Sequence, residues 1–140
     1  MANPSPMREK SMNLAVRVVH LYKYLVTEKK EYVLSKQLLK SGTSPGANIR
    51  EAQNGESVAD FIHKLGIAQK ETDETLYWLE LLHRTKYLSD TEFQSMYQDT
   101  DEMLRIIRSA ILTKKKNKLI ENTKTILLVT LSIYVFFQQI

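Results

Sequence analysis

Apolar and small residues recur along the chain at alternating steps of four and three, the spacing that keeps side chains on one face of an α-helix. The first such stripe consists of Met7, Ser11, Leu14, Val18, Leu21 and Leu25. A second consists of Phe61, Leu65, Ala68, Thr72, Thr75, Leu79 and Leu82. A third, less regular stripe, in which Met103 and Leu104 are adjacent, consists of Phe93, Met96, Thr100, Met103, Leu104, Ile107 and Ile111. Such spacing favours the shallow helix crossings of bundles. The pattern predicts an all-α protein, an antiparallel up-and-down four-helix bundle.

Start signals precede three of the predicted helices. Ser5-Pro6 offers an N-cap followed by proline at the first helical position. Ser57 is followed three residues later by Asp60, which places an acid in the first turn of the next helix. Ser89 and Glu92 have the spacing of a capping box. We expect the last helix to begin there and to end near the lysine run at Lys114–Lys118.

The remaining helical segment contains a dozen mostly small and polar residues, Ser41–Ala52. Small side chains leave room for a neighbouring backbone, so we expect this segment to lie at a close helix contact. Leucine at Gly46 or Ala47 should then destabilise the fold or the assembly. Pro45 interrupts this segment, because proline lacks a backbone N–H and clashes with the preceding turn. We therefore predict that the second helix kinks or restarts near Ser44.

This segment also carries a motif whose positions are Ser44, Asn48, Ile49 and Glu51. The motif resembles that of the four-helix-bundle proteins encoded in intervening sequences of bacterial 23S rRNA genes. The likeness includes Leu14–Lys23, Leu34–Leu38 and Asp60–Leu79, and it spans roughly Met7–Leu112. The chain departs from the family pattern at Pro45, Gly46 and Ala52. The resemblance implies a cyclic homopentamer, and the biochemical role of that family is poorly defined.

Four polar residues have motif status through this resemblance: Asn48, Glu51, Glu71 and Glu74. Together with Arg50 they form a candidate assembly or binding site. Buried carboxylates need partners, which Arg50, Lys70 or a neighbouring subunit could supply. We favour a structural network of hydrogen bonds and ion pairs over ligand recognition, and both over acid–base chemistry.

The charges are unevenly distributed. The formal net charge is +4, and residues 1–113 are balanced, with 15 basic and 15 acidic residues. Up to Lys70 there are 11 basic and 6 acidic residues, whereas residues 71–113 contain 4 basic and 9 acidic residues. These charges are either ordinary solvated faces that balance in space, or complementary faces of subunits that meet head to tail in a ring. The first is the more common arrangement, and the implied pentamer favours the second.

Patterns of catalytic residues are weak. The chain has no cysteine, which excludes disulfides and thiolate chemistry, and it lacks an apolar signal core, so we expect a cytoplasmic protein. Glu80 and His83 match the Glu-x-x-His step of di-iron bundles, but those sites need a second copy and further glutamates. We predict no catalytic site, metal or cofactor. Tyr77 and Trp78 are interpreted as core or interface anchors.

The leading hypothesis is therefore a non-enzymatic oligomeric scaffold. The alternative is a nucleic-acid-binding or ribonucleoprotein accessory protein, because the same fold resembles retroelement accessory proteins that assist a reverse transcriptase and its RNA. The candidate nucleic-acid contacts are Arg17, Lys36, Lys40, Lys114, Lys115 and Lys116. Phosphate contacts of this kind would make binding strongly salt-dependent.

The C-terminal segment changes character. No residue from Thr125 to Ile140 is charged, and the apolar run 126–137 is shorter than the roughly 20 residues of a membrane-spanning helix. We therefore divide the chain into a bundle domain, residues 1–118, and an apolar extension, residues 119–140. An extension that packs on the bundle or its oligomer is favoured. A membrane anchor is less favoured, as is a poorly ordered, aggregation-prone tail.

Overall fold

The computed structural model describes residues 5–139 and contains four helices in that range. They are α1 (Pro6–Thr27), α2 (Leu34–Gln53), α3 (Val58–Arg84) and α4 (Asp90–Gln138). Each helix packs against the next, and α4 also contacts α1, which closes the bundle. Residues 5–139 contain no strand. The predicted all-α four-helix bundle is confirmed, while residues 1–4 and 140 of the two predicted segments lie outside the described residues.

The three predicted helix starts are confirmed by their hydrogen bonds. The Ser5 hydroxyl accepts a hydrogen bond from the backbone N–H of Arg8 at 3.3 Å, and that of Ser57 accepts one from Asp60 at 3.0 Å. Ser89 and Glu92 form a complete capping box, with bonds of 3.2 and 2.8 Å. These local interactions define where α1, α3 and α4 begin.

The core lies where the predicted stripes converge. Of the stripe residues, all are buried except Met7, Phe61 and Phe93, which are partly buried against the core. Leu76 is an additional buried position that the four-three count omits. The buried hydroxyl of Thr75 donates to that of Ser41 at 3.1 Å, which links α3 to α2. Among the described residues, no buried side-chain nitrogen or oxygen lacks a hydrogen-bond partner.

The start of α2 depends on a buried carboxylate. The Glu31 side chain accepts hydrogen bonds from the backbone N–H groups of Val33, Leu34 and Ser35 at 3.0, 2.8 and 2.6 Å. The Ser35 hydroxyl donates in return to the Glu31 carbonyl at 2.9 Å. Burial alone raises the pKa of Glu31, but these donors outweigh it and hold the pKa below the ordinary 4.5. The N-cap residue of α2, Val33, has no side chain that can accept a hydrogen bond. The Glu31 carboxylate takes its place and bonds the free backbone N–H groups at the start of the helix.

α2 runs without a break through Pro45, so the predicted restart near Ser44 is wrong. Pro45 removes one backbone hydrogen bond, but it is buried together with Gly42 and Ile49 on the same face of α2. The packing of this face against the neighbouring helices keeps the segment helical where local propensity alone would interrupt it.

The close contact between α1 and α2 occurs at Gly42. A Cβ atom at Gly42 would lie 2.7 Å from Cγ2 and 2.8 Å from Cγ1 of Val18. At Gly46 the nearest atoms would be 3.6 Å away, an ordinary contact distance, and Ala47 is exposed. The expected close helix contact of this segment is therefore confirmed at Gly42. The prediction for Gly46 and Ala47, which also concerns the assembly, stays a prediction.

α4 does not end near the lysine run, contrary to the sequence-based expectation. It has 49 residues, and its last buried residue is Ile111. The following 27 residues to Gln138 extend about 40 Å further at 1.5 Å per residue. Residues 115–139 are all exposed, so this part does not pack on the bundle of its own chain. The chain has neither glycine nor proline after Gly66, so no stop signal ends the helix.

Candidate assembly surface

The motif residues of α2 lie next to α3. Asn48 is half-buried, and its Nδ2 donates to the carbonyl and the hydroxyl of Ser44 at 3.0 and 3.1 Å. Glu51 is exposed and pairs with Lys64 of α3 at 2.6 Å. The hydrogen bond and the charge of Glu51 raise the pKa of Lys64. The carboxylate is therefore paired with Lys64, and the expected counter-ions Arg50 and Lys70 make no such pair.

The motif residues of α3 are further along the same pair of helices. Glu71 is half-buried and seven residues beyond Lys64, which corresponds to about 10 Å along the helix. Glu74 is exposed and accepts a hydrogen bond from Trp78 Nε1 at 3.0 Å. Asn48, Glu51 and Glu74 thus each have a partner close in the fold or in the sequence, whereas the Glu71 carboxylate makes no hydrogen bond or ion pair within residues 5–139. Such an arrangement favours structural pairing over a single binding centre.

The aromatic pair on α3 divides between core and surface. Trp78 is partly buried against the core, whereas Tyr77 is 57% exposed. Their rings pack edge to face with centroids 4.9 Å apart. Trp78 therefore anchors the core as expected, and Tyr77 lies on the outer surface of the monomer.

A separate groove of about 700 Å³ lies between α1 and α2. Its lining residues are Met12, Ala15, Thr43, Gly46, Ala47, Arg50, Glu51 and Asn54. Met12 is 47% exposed and Val16, one turn further along α1, is 45% exposed. The groove therefore combines small residues of α2 with exposed apolar side chains of α1. Sequence reasoning missed Met12 and Val16, although apolar residues four apart outside the core stripe could have indicated them.

Arg50 and Glu51 line this groove, so the structure places two of the five candidate site residues there. Asn48, Glu71 and Glu74 do not line it. The candidate site is thus divided between the α1–α2 groove and the α2–α3 side of the bundle. Glu51 is common to both, because it lines the groove and pairs with α3.

The candidate nucleic-acid contacts are dispersed. Arg17 pairs with Asp99 and donates to the hydroxyl of Ser95, so it joins α1 to α4. Lys36 and Lys40 are exposed one turn apart on α2. Lys114 is half-buried, with its Nζ 5.4 Å from the centroid of the Phe61 ring. Lys115 and Lys116 are exposed on the extended part of α4.

Opposite charges also meet within the chain. Lys10 pairs with Glu102 at 2.5 Å, and Arg17 pairs with Asp99, so the basic α1 and the acidic α4 are complementary neighbours. These pairs are exposed, and each contributes little to stability. The uneven distribution of charge along the sequence is therefore partly balanced inside one bundle, as ordinary solvated faces would be.

Glu80 and His83 do not belong to a metal site in the part of the chain that the structure describes. Within residues 5–139, no three or more His, Asp or Glu side chains lie close enough together to hold a metal ion. His83 Nε2 lies 2.7 Å from an Asp90 oxygen, and its ring stacks on Phe93 with centroids 4.3 Å apart. The hydrogen bond and the charge of His83 lower the pKa of Asp90. His83 therefore joins the end of α3 to the start of α4.

Comparison with known proteins relates the chain to one family of sequences and to solved structures. Residues 5–109 match the family model of the 23S rRNA-intervening sequence protein. The structure is also similar to the crystal structure of a protein with unknown function from the S23 ribosomal protein family of Bacteroides thetaiotaomicron VPI-5482. The two chains are 54% identical, with a TM-score of 0.74 over 75% of this chain and 97% of that chain. No curated protein matches. The family match ends at residue 109, so the exposed part of α4 lies outside it.

Proposed function

The chain belongs to the 23S rRNA-intervening sequence protein family, and we propose that it acts as a non-enzymatic scaffold that assembles into a homo-oligomer. The observation that carries this proposal is the α1–α2 groove. Met12 lines it, and Val16, one turn further along α1, is exposed as well. Gly46 and Ala47 leave space for another helix to approach. The oligomer implied by the family resemblance is a cyclic pentamer, in which each bundle would present this groove to a neighbour.

The charges at the groove suit a contact between two copies. Arg50 and Glu51 lie on one wall beside the apolar residues, an arrangement of polar rim and apolar centre that is typical of protein interfaces. Arg50 is exposed and makes no ion pair within residues 5–139, so it can pair with an acidic residue of a second copy. Glu51 also pairs with Lys64 of α3, which would keep α2 and α3 in the geometry that forms the interface.

Substitution of Val16 by arginine tests this interface. Val16 is not in the core, so we expect the bundle to fold normally while the dissociation constant of the oligomer rises at least tenfold, which corresponds to about 1.4 kcal/mol. Sedimentation equilibrium of the full chain at micromolar concentration measures the change. A non-ionic detergent matched to the density of the solvent prevents non-specific association through the exposed part of α4.

The matched control is Val33→Arg. Val33 is also an exposed valine, 69% exposed against 45% for Val16, and it lies at the other end of α2 from Arg50. We expect this variant to assemble as the native protein does. A native chain that is monomeric under these conditions would refute the scaffold proposal, and equal weakening by both variants would refute the assignment of the groove.

A second candidate function is binding of RNA as a ribonucleoprotein accessory protein. Lys36 and Lys40 favour it, because both are exposed on one face of α2 and make no ion pair within residues 5–139. A cyclic oligomer would repeat this pair on every subunit and so multiply its attraction for phosphates.

For RNA binding we expect the affinity for a single-stranded RNA to fall steeply with salt. The double variant Lys36→Gln/Lys40→Gln should lower the slope of log K against log salt by roughly 0.7 per lysine. A filter-binding titration between low and physiological salt measures this slope. The control, Lys70→Gln/Lys86→Gln, removes two exposed lysines outside α2, one in α3 and one in the α3–α4 loop, and should leave the slope unchanged. Absence of binding at low salt would eliminate this function.

A further inference from the structure

The part of α4 from Leu119 to Gln138, here called the distal helix, is exposed throughout. Its large exposed apolar residues are Leu119, Ile120, Ile126, Leu127, Leu128, Val129, Leu131, Ile133, Tyr134, Val135, Phe136 and Phe137. At 100° per residue, those between Ile126 and Phe137 occupy every side of the helix. A helix that pairs with one partner in water has a single apolar stripe, whereas a helix that is apolar all round is surrounded by protein or by lipid.

The dimensions of the distal helix suit a lipid bilayer. α4 contains an 18-residue window with a mean hydropathy of 1.4, and none of that window is buried. Eighteen helical residues measure about 27 Å, close to the roughly 30 Å thickness of the hydrocarbon core. The window includes Glu121 and Lys124 at the end nearer the bundle, where charged side chains can reach the headgroups. The uncharged residues 125–138 cover about 21 Å of the hydrocarbon. A helix from the core of a soluble protein would be mostly buried, and a signal sequence would precede the bundle, so neither explains this window.

The threonine and serine side chains of the distal helix have partners in the same helix. Thr125, Thr130 and Ser132 donate to the carbonyl groups of Glu121, Ile126 and Leu128 at 3.0, 3.0 and 2.9 Å. Hydroxyl groups bonded in this way can enter a hydrocarbon environment without losing a hydrogen bond. The segment is thus compatible with lipid in its polar as well as its apolar groups.

Basic residues lie at the end of the distal helix that joins the bundle. Lys115, Lys116, Lys118 and Lys124 are exposed there, and Lys114 is half-buried against Phe61. Glu121 is the one acidic residue after Glu102 in the sequence. Clustered lysines beside an apolar helix are attracted to the anionic headgroups of the cytoplasmic leaflet, and they keep their own end of the helix on that side.

We propose that the distal helix inserts into a lipid bilayer and tethers the bundle to an anionic membrane surface. The lysines of residues 114–118 contact the headgroups, and the uncharged residues from Thr125 onward lie in the hydrocarbon. The bundle is then on the cytoplasmic side. This proposal rests on the distal helix alone and is independent of the α1–α2 groove.

The test is flotation of the full chain with phosphatidylcholine vesicles that contain roughly one-third phosphatidylglycerol, an anionic lipid whose surface attracts lysines. The native chain should float with the vesicles. Val129→Lys should reduce partitioning roughly a hundredfold, because a central lysine strongly opposes insertion. Val33→Lys places the same change at an exposed valine of the bundle, and this variant should float as the native chain does.

A second variant separates the lysines from the apolar segment. Exchange of Lys115, Lys116 and Lys118 for glutamine should weaken binding to the anionic vesicles by roughly fivefold per lysine. The same exchange should have little effect with vesicles of phosphatidylcholine alone. Equal losses on both kinds of vesicle would overturn the assigned role of the lysines.

Three outcomes would overturn insertion. The native chain could remain at the bottom of the gradient, or Val33→Lys could abolish flotation as Val129→Lys does. Alternatively, the native chain could fail to float yet form lipid-free oligomers that Val129→Lys dissociates. That last result would assign the distal helix to a second copy of the chain. Failure of the scaffold proposal would instead appear as a change in oligomer mass and would leave flotation intact.

Discussion

Replacement of Gly42 by alanine is expected to lower the free energy of unfolding by up to about 2 kcal/mol. The new Cβ would lie 2.7 Å from Cγ2 of Val18, and Val18 is fully buried. A β-branched side chain in a helix has one strongly preferred rotamer, so Val18 cannot rotate away cheaply. Overpacking of this kind costs about 1–3 kcal/mol, and the better helix propensity of alanine offsets about 1 kcal/mol. Urea unfolding of the full chain in non-ionic detergent measures the difference.

The matched control is Gly66→Ala on α3. A Cβ at Gly66 would meet no atom within 4 Å, so only the gain in helix propensity remains, and stability should rise by about 0.5–1 kcal/mol. The same chemical change should therefore act in opposite directions at the two glycines. In a Val18→Ala background, Gly42→Ala should cost less, because the two positions are in contact. Stabilisation by Gly42→Ala in the native background would contradict the close approach of α1 and α2.

The sequence predicted α1, α3 and α4 well because their buried faces are apolar at regular spacing. Leu14, Leu65 and Ile107, for example, all lie in the core as expected. α2 was harder, because residues such as Ser35, Ser41 and Gly42 form much of its buried face. Small and polar residues give no clear hydrophobic period. Which glycine meets a neighbouring helix is decided by tertiary packing, and local sequence does not contain that information.

The ion-pair partners of the candidate site residues were not predicted, because they too depend on tertiary packing. The partner of Glu51 is Lys64, which lies across the α2–α3 loop, and the partner of Arg17 is Asp99, 82 residues away. Such pairs depend on how helices align in space. The end of α4 was misplaced because a change in composition at Lys118 indicated a boundary, whereas a helix ends only where its backbone meets a stop signal.

Replacement of Glu31 by glutamine is expected to lower the free energy of unfolding at pH 7 by roughly 1–3 kcal/mol, the range for hydrogen bonds to a buried charged group. Glutamine has a similar shape but one carbonyl oxygen, so it cannot accept all three N–H groups that the Glu31 carboxylate binds. It also lacks the negative charge that favours a helix N-terminus. Glu56→Gln is the control, because Glu56 is exposed in the α2–α3 loop, and we expect it to leave stability unchanged.

The effect of Glu31 should also depend on pH in a defined direction. Its pKa is lower in the folded chain than the ordinary 4.5 of the unfolded chain, so the unfolded chain binds the proton more readily. The stabilisation by the Glu31 carboxylate is therefore fully present above about pH 4.5 and is lost as the pH falls through the folded pKa. The stability difference between the native chain and Glu31→Gln should shrink over that interval in urea titrations. A difference that stays constant from pH 7 to pH 3 would show that glutamine acts by altered packing, and that the Glu31 charge does not stabilise the start of α2.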